Sequence, residues 1–361
     1  MRRIHSFAGA ALAAATAVFL TACGGVETGT EQEIKGAPGF ENLEPVELIG
    51  ADSISKGAAG QIFFDKVAEN VDRITGGKLT IDLFHNGELG NDEELVRQMQ
   101  YNDVQIMVSQ TAPVVPFVPS LAALDLPMVF AKYDGDTIDA VCNGGDSEFR
   151  RKLSLSYEEA GLHLLGILQN ATYRLTTANR DLSKLADFKG MQIRTMGNSN
   201  HMAFWTAIGA EPTPLAWSEV YFALQSGIID AEENAADTIA GANLHEIQKV
   251  LACTNHILYA NQICISKKAY DGLAPEYQEA LNQAVNEALA EMRPVMLEID
   301  ETNKKILTDN GMTIINYDTG FFDEILELDS VKTLYKEIDD YAGGLGSVLQ
   351  NSLEAESKKE K

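Results

Sequence analysis

Tyr173-Arg-Leu-Thr-Thr177, Lys189-Gly-Met-Gln-Ile-Arg194 and Pro214-Leu-Ala-Trp-Ser-Glu-Val-Tyr-Phe-Ala-Leu-Gln-Ser-Gly-Ile-Ile-Asp-Ala-Glu-Glu-Asn234 set two arginines, an aromatic and an amide on successive short elements of an α/β pattern. A planar guanidinium holds a carboxylate through two parallel charge-assisted hydrogen bonds. A ring beside it covers a ligand's carbon skeleton, and an amide reads its oxygens. No catalytic signature lies nearby.

The same rhythm extends in both directions. Upstream, residues 46–50 read as a strand. Phe63, Val67, Val71 and Ile74 follow at helical spacing up to Gly76-Gly77, and Leu79, Ile81 and Leu83 alternate as a second strand. Asn91 caps a helix with Glu94 at its third position, as in a capping box, and Val104, Ile106 and Val108 form the next strand. Strands that alternate with helices imply a mostly parallel sheet, whose ligands bind at the strands' carboxyl ends. Those ends are Asp52-Ser53, Asn86-Gly87 and Ser109-Gln110. A second α/β set is expected from about Leu162, with strands at 164–168, 173–177 and 191–195 and helices at 199–208 and 219–225. Ser218 is the expected N-cap and Gly227 the stop of the latter helix. Pro212-Thr-Pro214 reads as an extended link. After Asp230 a helix is expected, then strands at 250–253 and 262–266. A long helix follows from Pro275 to Asn310, kinked by Pro294 and stopped by Gly311. Residues 313–317 read as a β-like segment, further helices close the fold, and 354–361 read as a disordered polar tail. The roughly 315 residues after position 45 suit two domains better than one.

Met1-Arg-Arg3, the Ala-rich apolar run 8–20 and Leu20-Thr-Ala-Cys23 have the layout of a secretory signal, and the run is too short for a comfortable membrane span. From Gly24 to about Glu44 the composition is that of a flexible tether. The net charge is −25, and loss of the first 22 residues, with their two arginines and no acids, deepens it. Such a chain is a poor partner for nucleic acid. Any anion site must rest on local arginines and helix N-termini. Cys142, Cys253 and Cys264 allow one disulfide or three buried thiols. The six histidines show no metal spacing, and no cofactor motif is present.

The Arg174–Asn234 stretch resembles the solute-binding subunits of tripartite ATP-independent periplasmic (TRAP) transporters of the DctP type. Asn86-Gly-Glu-Leu-Gly90, Leu124-Asp-Leu-Pro127 and Thr254-Asn-His-Ile-Leu258 extend that resemblance over roughly 46–345. The signal resembles a bacterial lipoprotein's, which implies cleavage before Cys23, a lipid on its sulfur, and a place on the outer face of the membrane or in the periplasm. The implied fold is α/β and two-lobed, like a periplasmic binding protein, with one long helix spanning both lobes. The expected division is signal 1–22, tether 23–45, first lobe 46–170 and 260–300, second lobe 171–259 and 301–350, and a polar tail 351–361. By resemblance, Arg194 is the principal carboxylate clamp and Arg174, 20 residues earlier on a neighbouring strand, a second contact. Trp217 lies against the ligand, and the Asn234 amide meets Arg194 or the carboxylate. His256 is expected either on the cleft floor or in the interior. Gln110 and Asp52, at first-lobe strand ends, bond hydroxyls across the closed cleft.

Glu232 departs from the family pattern, which carries a neutral residue there. A carboxylate at that position repels a second ligand carboxylate and accepts from hydroxyls. With the broad face of Trp217, it turns the expectation from a C4-dicarboxylate toward a hydroxylated monocarboxylate such as a uronate or aldonate. The implied partners are a small organic acid and the membrane subunits of a TRAP transporter. Two other readings stand beside this one: a binding protein that reports ligand to a sensor, and a secreted enzyme on acidic sugars. The adjacent Glu232 and Glu233 hint only weakly at the enzyme, because glycosidase carboxylates normally come from separate elements.

Overall fold

Alternating apolar residues put three strands side by side near the start of the chain. In the computed structural model, which describes residues 36–359, they are β1 (Val46–Ala51), β2 (Leu79–Phe84) and β3 (Ile106–Gln110). β1 runs parallel to both others because helices α1 (Ala59–Thr75) and α2 (Asp92–Tyr101) supply the crossovers. The Asn91 capping box is formed in full: its side chain accepts from Glu94 N–H, and the Glu94 carboxylate accepts from Asn91 N–H. Helices α3 (Gly135–Asn143) and α4 (Glu148–Glu159) lead to β4 (Leu162–Leu168). β4 does not open the second α/β set that the spacing suggested from about Leu162. It joins the first sheet, because β10 (Asn261–Ser266) returns between β3 and β4, antiparallel to both, and gives the order β2-β1-β3-β10-β4.

The second sheet comprises β5 (Leu175–Ala178), β6 (Gln192–Thr195), β7 (Glu211–Pro214), β8 (Ala231–Asn234), β9 (Val250–Ala252) and β11 (Thr313–Ile315), in the order β11-β9-β5-β8-β6-β7. Helix α5 (Ser199–Ala207) follows β6, α6 (Trp217–Ser226) follows β7 and α7 (Ala236–Gly241) follows β8. Three local expectations are corrected. The Pro-Thr-Pro link is a parallel edge strand, where missing N–H groups are tolerated. Residues 231–234 form β8, a strand buried at every position, instead of starting a helix. The N-cap of α6 is Ala216, which leaves Ser218 inside the helix, whereas Gly227 does terminate it in the left-handed region at φ 73°. Because β8 lies between β5 and β6, Arg174 and Arg194 are not on adjacent strands.

After the short α8 (Lys267–Gly272), α9 (Pro275–Asp309) runs as one helix through Pro294. Its Leu281, Val285 and Met292 pack with Phe63, Phe64 and Val67 of α1 beneath the first sheet. Its Leu307 joins Ile239 and Leu251 beneath the second, so a single helix is anchored in both cores. Helix α10 (Thr319–Glu327) stays beside the second sheet, packing Phe321 on Phe188. Helix α11 (Asp329–Tyr341) packs on α5 and on the turn Pro119–Asp125, and α12 (Leu345–Glu356) crosses to pack on α3, α4 and the same turn. The final helix α12 therefore packs against the helices that flank β4, while α11 keeps its contact with α5. Residues 354–356 are helical because Leu349 and Leu353 are buried in that packing. Cys142, Cys253 and Cys264 are buried free thiols. The signal segment and Cys23 lie outside the described residues.

Candidate functional site

The carboxyl ends of β1 and β2 supply Ser53, Asn86 and Gly87 to one wall of a cleft of about 1020 Å³. The opposite wall is built from the ends of β6 and β7 and the start of α6, through Arg194, Met196 and Leu215 to Ser218. A recess of about 40 Å³ lies deeper, bounded by Ser53, Ser55, Asp92, Gln110, Arg194, Trp217, Asn234 and Thr238. Helix α6 has no side-chain cap among the described residues, and its first two residues, Trp217 and Ser218, line the cleft, where the positive end of a helix favours an anion.

Arg194 is 2% exposed, and its guanidinium is fixed from one side. Nε and Nη2 both donate to the Leu215 carbonyl, at 3.0 and 2.8 Å. The Trp217 ring covers it at 5.4 Å from guanidinium carbon to ring centroid. Nη1 has no hydrogen-bond partner among the described residues although it is buried. With the Nε edge occupied, the free end is the Nη1–Nη2 pair, a fork that matches a carboxylate. Burial brings the group's pKa down to about 10, against the opposing pull of Glu232, Glu233 and Asp92.

Polar groups that accept or donate to hydroxyls surround this fork. Trp217 Nε1 donates to Ser55 Oγ at 3.0 Å, joining the two walls. Gln110 Nε2 donates to Asn234 Oδ1 at 2.9 Å, so the two amides meet across the cleft floor. Asp92 accepts from Ser53 Oγ at 2.7 Å, and burial raises its carboxyl to about 6. Asp92, Ser53 and Ser55 escaped the sequence reading as individual contacts. The signal available was the Asp52-Ser53 strand end, which marked the right loop but the wrong residue of it.

Four expected contacts lie behind the cleft wall. Arg174 is turned into the interior: it donates to both oxygens of Glu233 and to its carbonyl, and Nη1 donates to Gln110 Oε1. His256 is fully buried, with Nε2 3.1 Å from Glu233, Nδ1 3.0 Å from Thr254 Oγ1, and its ring stacked on Phe204. Of its two expected places, the interior one is observed. Asp52 accepts from the backbone N–H groups of Ile54 and Asn86 and contacts His85 Nδ1 at 2.6 Å, which ties together the loops after β1 and β2. Glu232 is fully buried beside Arg194, outside the residues that line the cleft.

Beneath the floor, Glu233 is the hub of a buried charge cluster. Burial alone would raise its carboxyl, but Arg174, His201 and His256 hold it well below the ordinary range. Burial would likewise lower His201, yet Asp125, at 3.1 Å, and Glu233 outweigh it and raise the imidazole to about 9. This cluster ties β5, β8 and α5 together below the recess, with Arg174 spending Nε and Nη2 on Glu233 and Nη1 on Gln110.

The DctP family, described as bacterial extracellular solute-binding protein family 7, matches residues 53–327. The 2,3-diketo-L-gulonate-binding periplasmic protein of Escherichia coli is 29% identical over 241 residues, which are 67% of this chain and 72% of that protein. The C4-dicarboxylate-binding periplasmic protein DctP of Rhodobacter capsulatus is 28% identical over 259 residues, 72% of this chain and 74% of that protein. Among solved structures, the sugar acid binding protein of Advenella mimigardefordensis in complex with galactonate superposes with a TM-score of 0.79 at 24% identity, covering 88% of this chain and 99% of that one.

Proposed function

The chain belongs to the DctP family of bacterial extracellular solute-binding proteins, and on that premise we propose that it captures a sugar acid such as a uronate or aldonate. It delivers the acid, without turnover, to the membrane subunits of a TRAP transporter. The observation that carries this reading is the half-used guanidinium of Arg194, a residue lining both the cleft and its recess, anchored on Leu215 with its buried Nη1 unpaired among the described residues. The N-terminus of α6 adds to the anion's stabilisation, and Trp217 covers the sugar's carbon face. Asp92, Ser53, Gln110 and Asn234 supply hydroxyl partners on the facing walls. Asp92 also opposes a second ligand carboxylate, the part that Glu232 was expected to play. The relative that binds 2,3-diketo-L-gulonate, itself a sugar acid, supports the same class. We further infer that Cys23 carries a lipid anchor.

A second reading, a C4-dicarboxylate, is favoured by Lys56 on the cleft wall, a cation available to a second carboxylate, and by the Rhodobacter relative. A thermal-shift screen of the mature protein separates the two, because a ligand that binds only the folded state raises its apparent stability. Larger shifts with glucuronate, galacturonate or galactonate than with succinate, malate or fumarate are expected. The reverse order selects the dicarboxylate reading.

A further inference from the structure

Glu232 sits where a buried ion has the least support. It is fully buried in the middle of β8, and neither carboxylate oxygen makes a hydrogen bond of ordinary geometry among the described residues. Its register partners are Arg194 on β6 and Thr177 on β5. Directly paired residues on neighbouring strands project from the same face of a sheet, so the three side chains form one row. Both of its neighbours in the row also carry an unused buried group, Nη1 of Arg194 and Oγ1 of Thr177. The other charges acting on Glu232 are Glu233, the next residue on its own strand, and Arg174, which is already paired with Glu233. Asp92 acts on Arg194 from the facing wall.

In the empty site the row can hold one cation and one anion. When an acid's carboxylate takes the free end of Arg194, an ionised Glu232 becomes a second anion for the same guanidinium, desolvated and with only the Asn234 amide nearby as a weak donor. Such a charge costs several kcal/mol in a buried site, and a proton removes that cost. The neutral carboxyl can then donate to the Thr177 hydroxyl.

We propose that Glu232 is the proton-binding partner of Arg194, so that wherever Glu232 is ionised in the empty site, capture of the acid is coupled to uptake of one proton at this carboxyl. The inference rests on the reading of Arg194 as the carboxylate clamp. Burial already pushes the Glu232 carboxyl up to about 8, against the pull of Arg194 and Arg174. A bound anion beside it pushes the value higher still. The sign follows. Below about pH 8 the carboxyl is protonated with or without ligand, and affinity does not respond to pH through it. Above that, binding must bring a proton in, and affinity falls by up to about tenfold per pH unit.

The test is calorimetric titration of the full mature protein with the sugar acid that gives the largest thermal shift. Titrations at pH 7 and pH 9 in buffers of different ionisation enthalpy count the protons exchanged. The wild type is expected to take up close to one proton per ligand at pH 9, far fewer at pH 7, and to bind several-fold more weakly at pH 9. Glu232→Gln, which mimics the neutral carboxyl, should take up none and hold its affinity between the two. Wild-type binding without proton uptake at pH 9, or uptake that persists in Glu232→Gln, overturns the coupling and leaves the clamp standing. Absence of binding by every acid at either pH overturns both.

Discussion

Replacing Arg174 with Met is expected to damage the fold more than the binding site. The guanidinium donates to both carboxylate oxygens of Glu233, to its carbonyl and to Gln110, and none of these groups except Gln110 reaches the cleft. Removing it leaves Glu233 fully buried with only His256, at 3.1 Å, and His201, at 3.8 Å, to balance its charge. Breaking one side of a buried ion pair costs about 3–5 kcal/mol. The two histidines answer part of the lost charge, which puts the expectation near the lower figure. At about 2–4 °C per kcal/mol for a large domain, the unfolding midpoint should drop on the order of 6–12 °C. Ligand affinity should change by no more than about fivefold, a loss of roughly 1 kcal/mol through the loosened Gln110–Asn234 contact. Differential scanning calorimetry and titration of the same preparation, well below the midpoint, read both quantities. An Arg174→Met protein with an unchanged midpoint and an affinity loss of tenfold or more would refute this reasoning and make Arg174 a direct ligand contact.

Asp92→Asn removes a charged acceptor from the cleft wall. Hydrogen bonds to charged groups contribute about 1.5–3 kcal/mol, so uronate or aldonate affinity should fall by at least about tenfold while dicarboxylates lose nothing; unchanged sugar-acid affinity in titrations removes Asp92 from the site. Stability should decline as the medium becomes more alkaline. His201 is held at about 9 against an ordinary 6.5, and Glu232 at about 8 against 4.5. Both bind a proton more tightly folded than unfolded, so their contribution is complete below the unfolded values and is lost as pH rises through the folded ones. The melting midpoint should therefore fall between pH 6 and pH 9, with a shallower fall in Glu232→Gln; a midpoint that rises over that range contradicts the assignment. Cys23→Ala should release the protein from membranes into the soluble fraction with ligand affinity intact, and continued membrane association in that variant argues against a lipid at Cys23.

The elements legible in the sequence were those whose burial follows a simple period. β1, β2, the Asn91 cap, Gly227 and the long helix after Pro275 all announce themselves through local chemistry. β8 did not, because Glu232, Glu233 and Asn234 are polar residues in a fully buried strand. Their burial is stabilised by Arg174, Arg194 and Gln110, partners 38 to 124 residues away, and no local pattern encodes that. The crossing of α12 is likewise a long-range choice, and the return of β10 into the first sheet is encoded in no local pattern, though the resemblance grouped 260–300 with the first lobe. At the site, resemblance singled out Arg194, Trp217, Gln110 and Asn234, which the structure gathers around one recess. The same resemblance could not tell a ligand contact from its buried support. Arg174, His256 and Asp52 differ from Arg194 only in which way the folded chain turns them.

The free end of the Arg194 guanidinium is the centre of this account, and titration of Arg194→Lys with the preferred sugar acid tests it most directly. Lysine keeps the charge but cannot rest one edge on the Leu215 carbonyl and offer a planar fork with the other. Loss of a desolvated carboxylate partner costs about 2–5 kcal/mol when truncated, and part of that when the charge is retained. The account predicts a folded Arg194→Lys protein whose affinity is weaker by at least about tenfold. Near-wild-type affinity in that variant would contradict it, because the acid's carboxylate would then be held elsewhere.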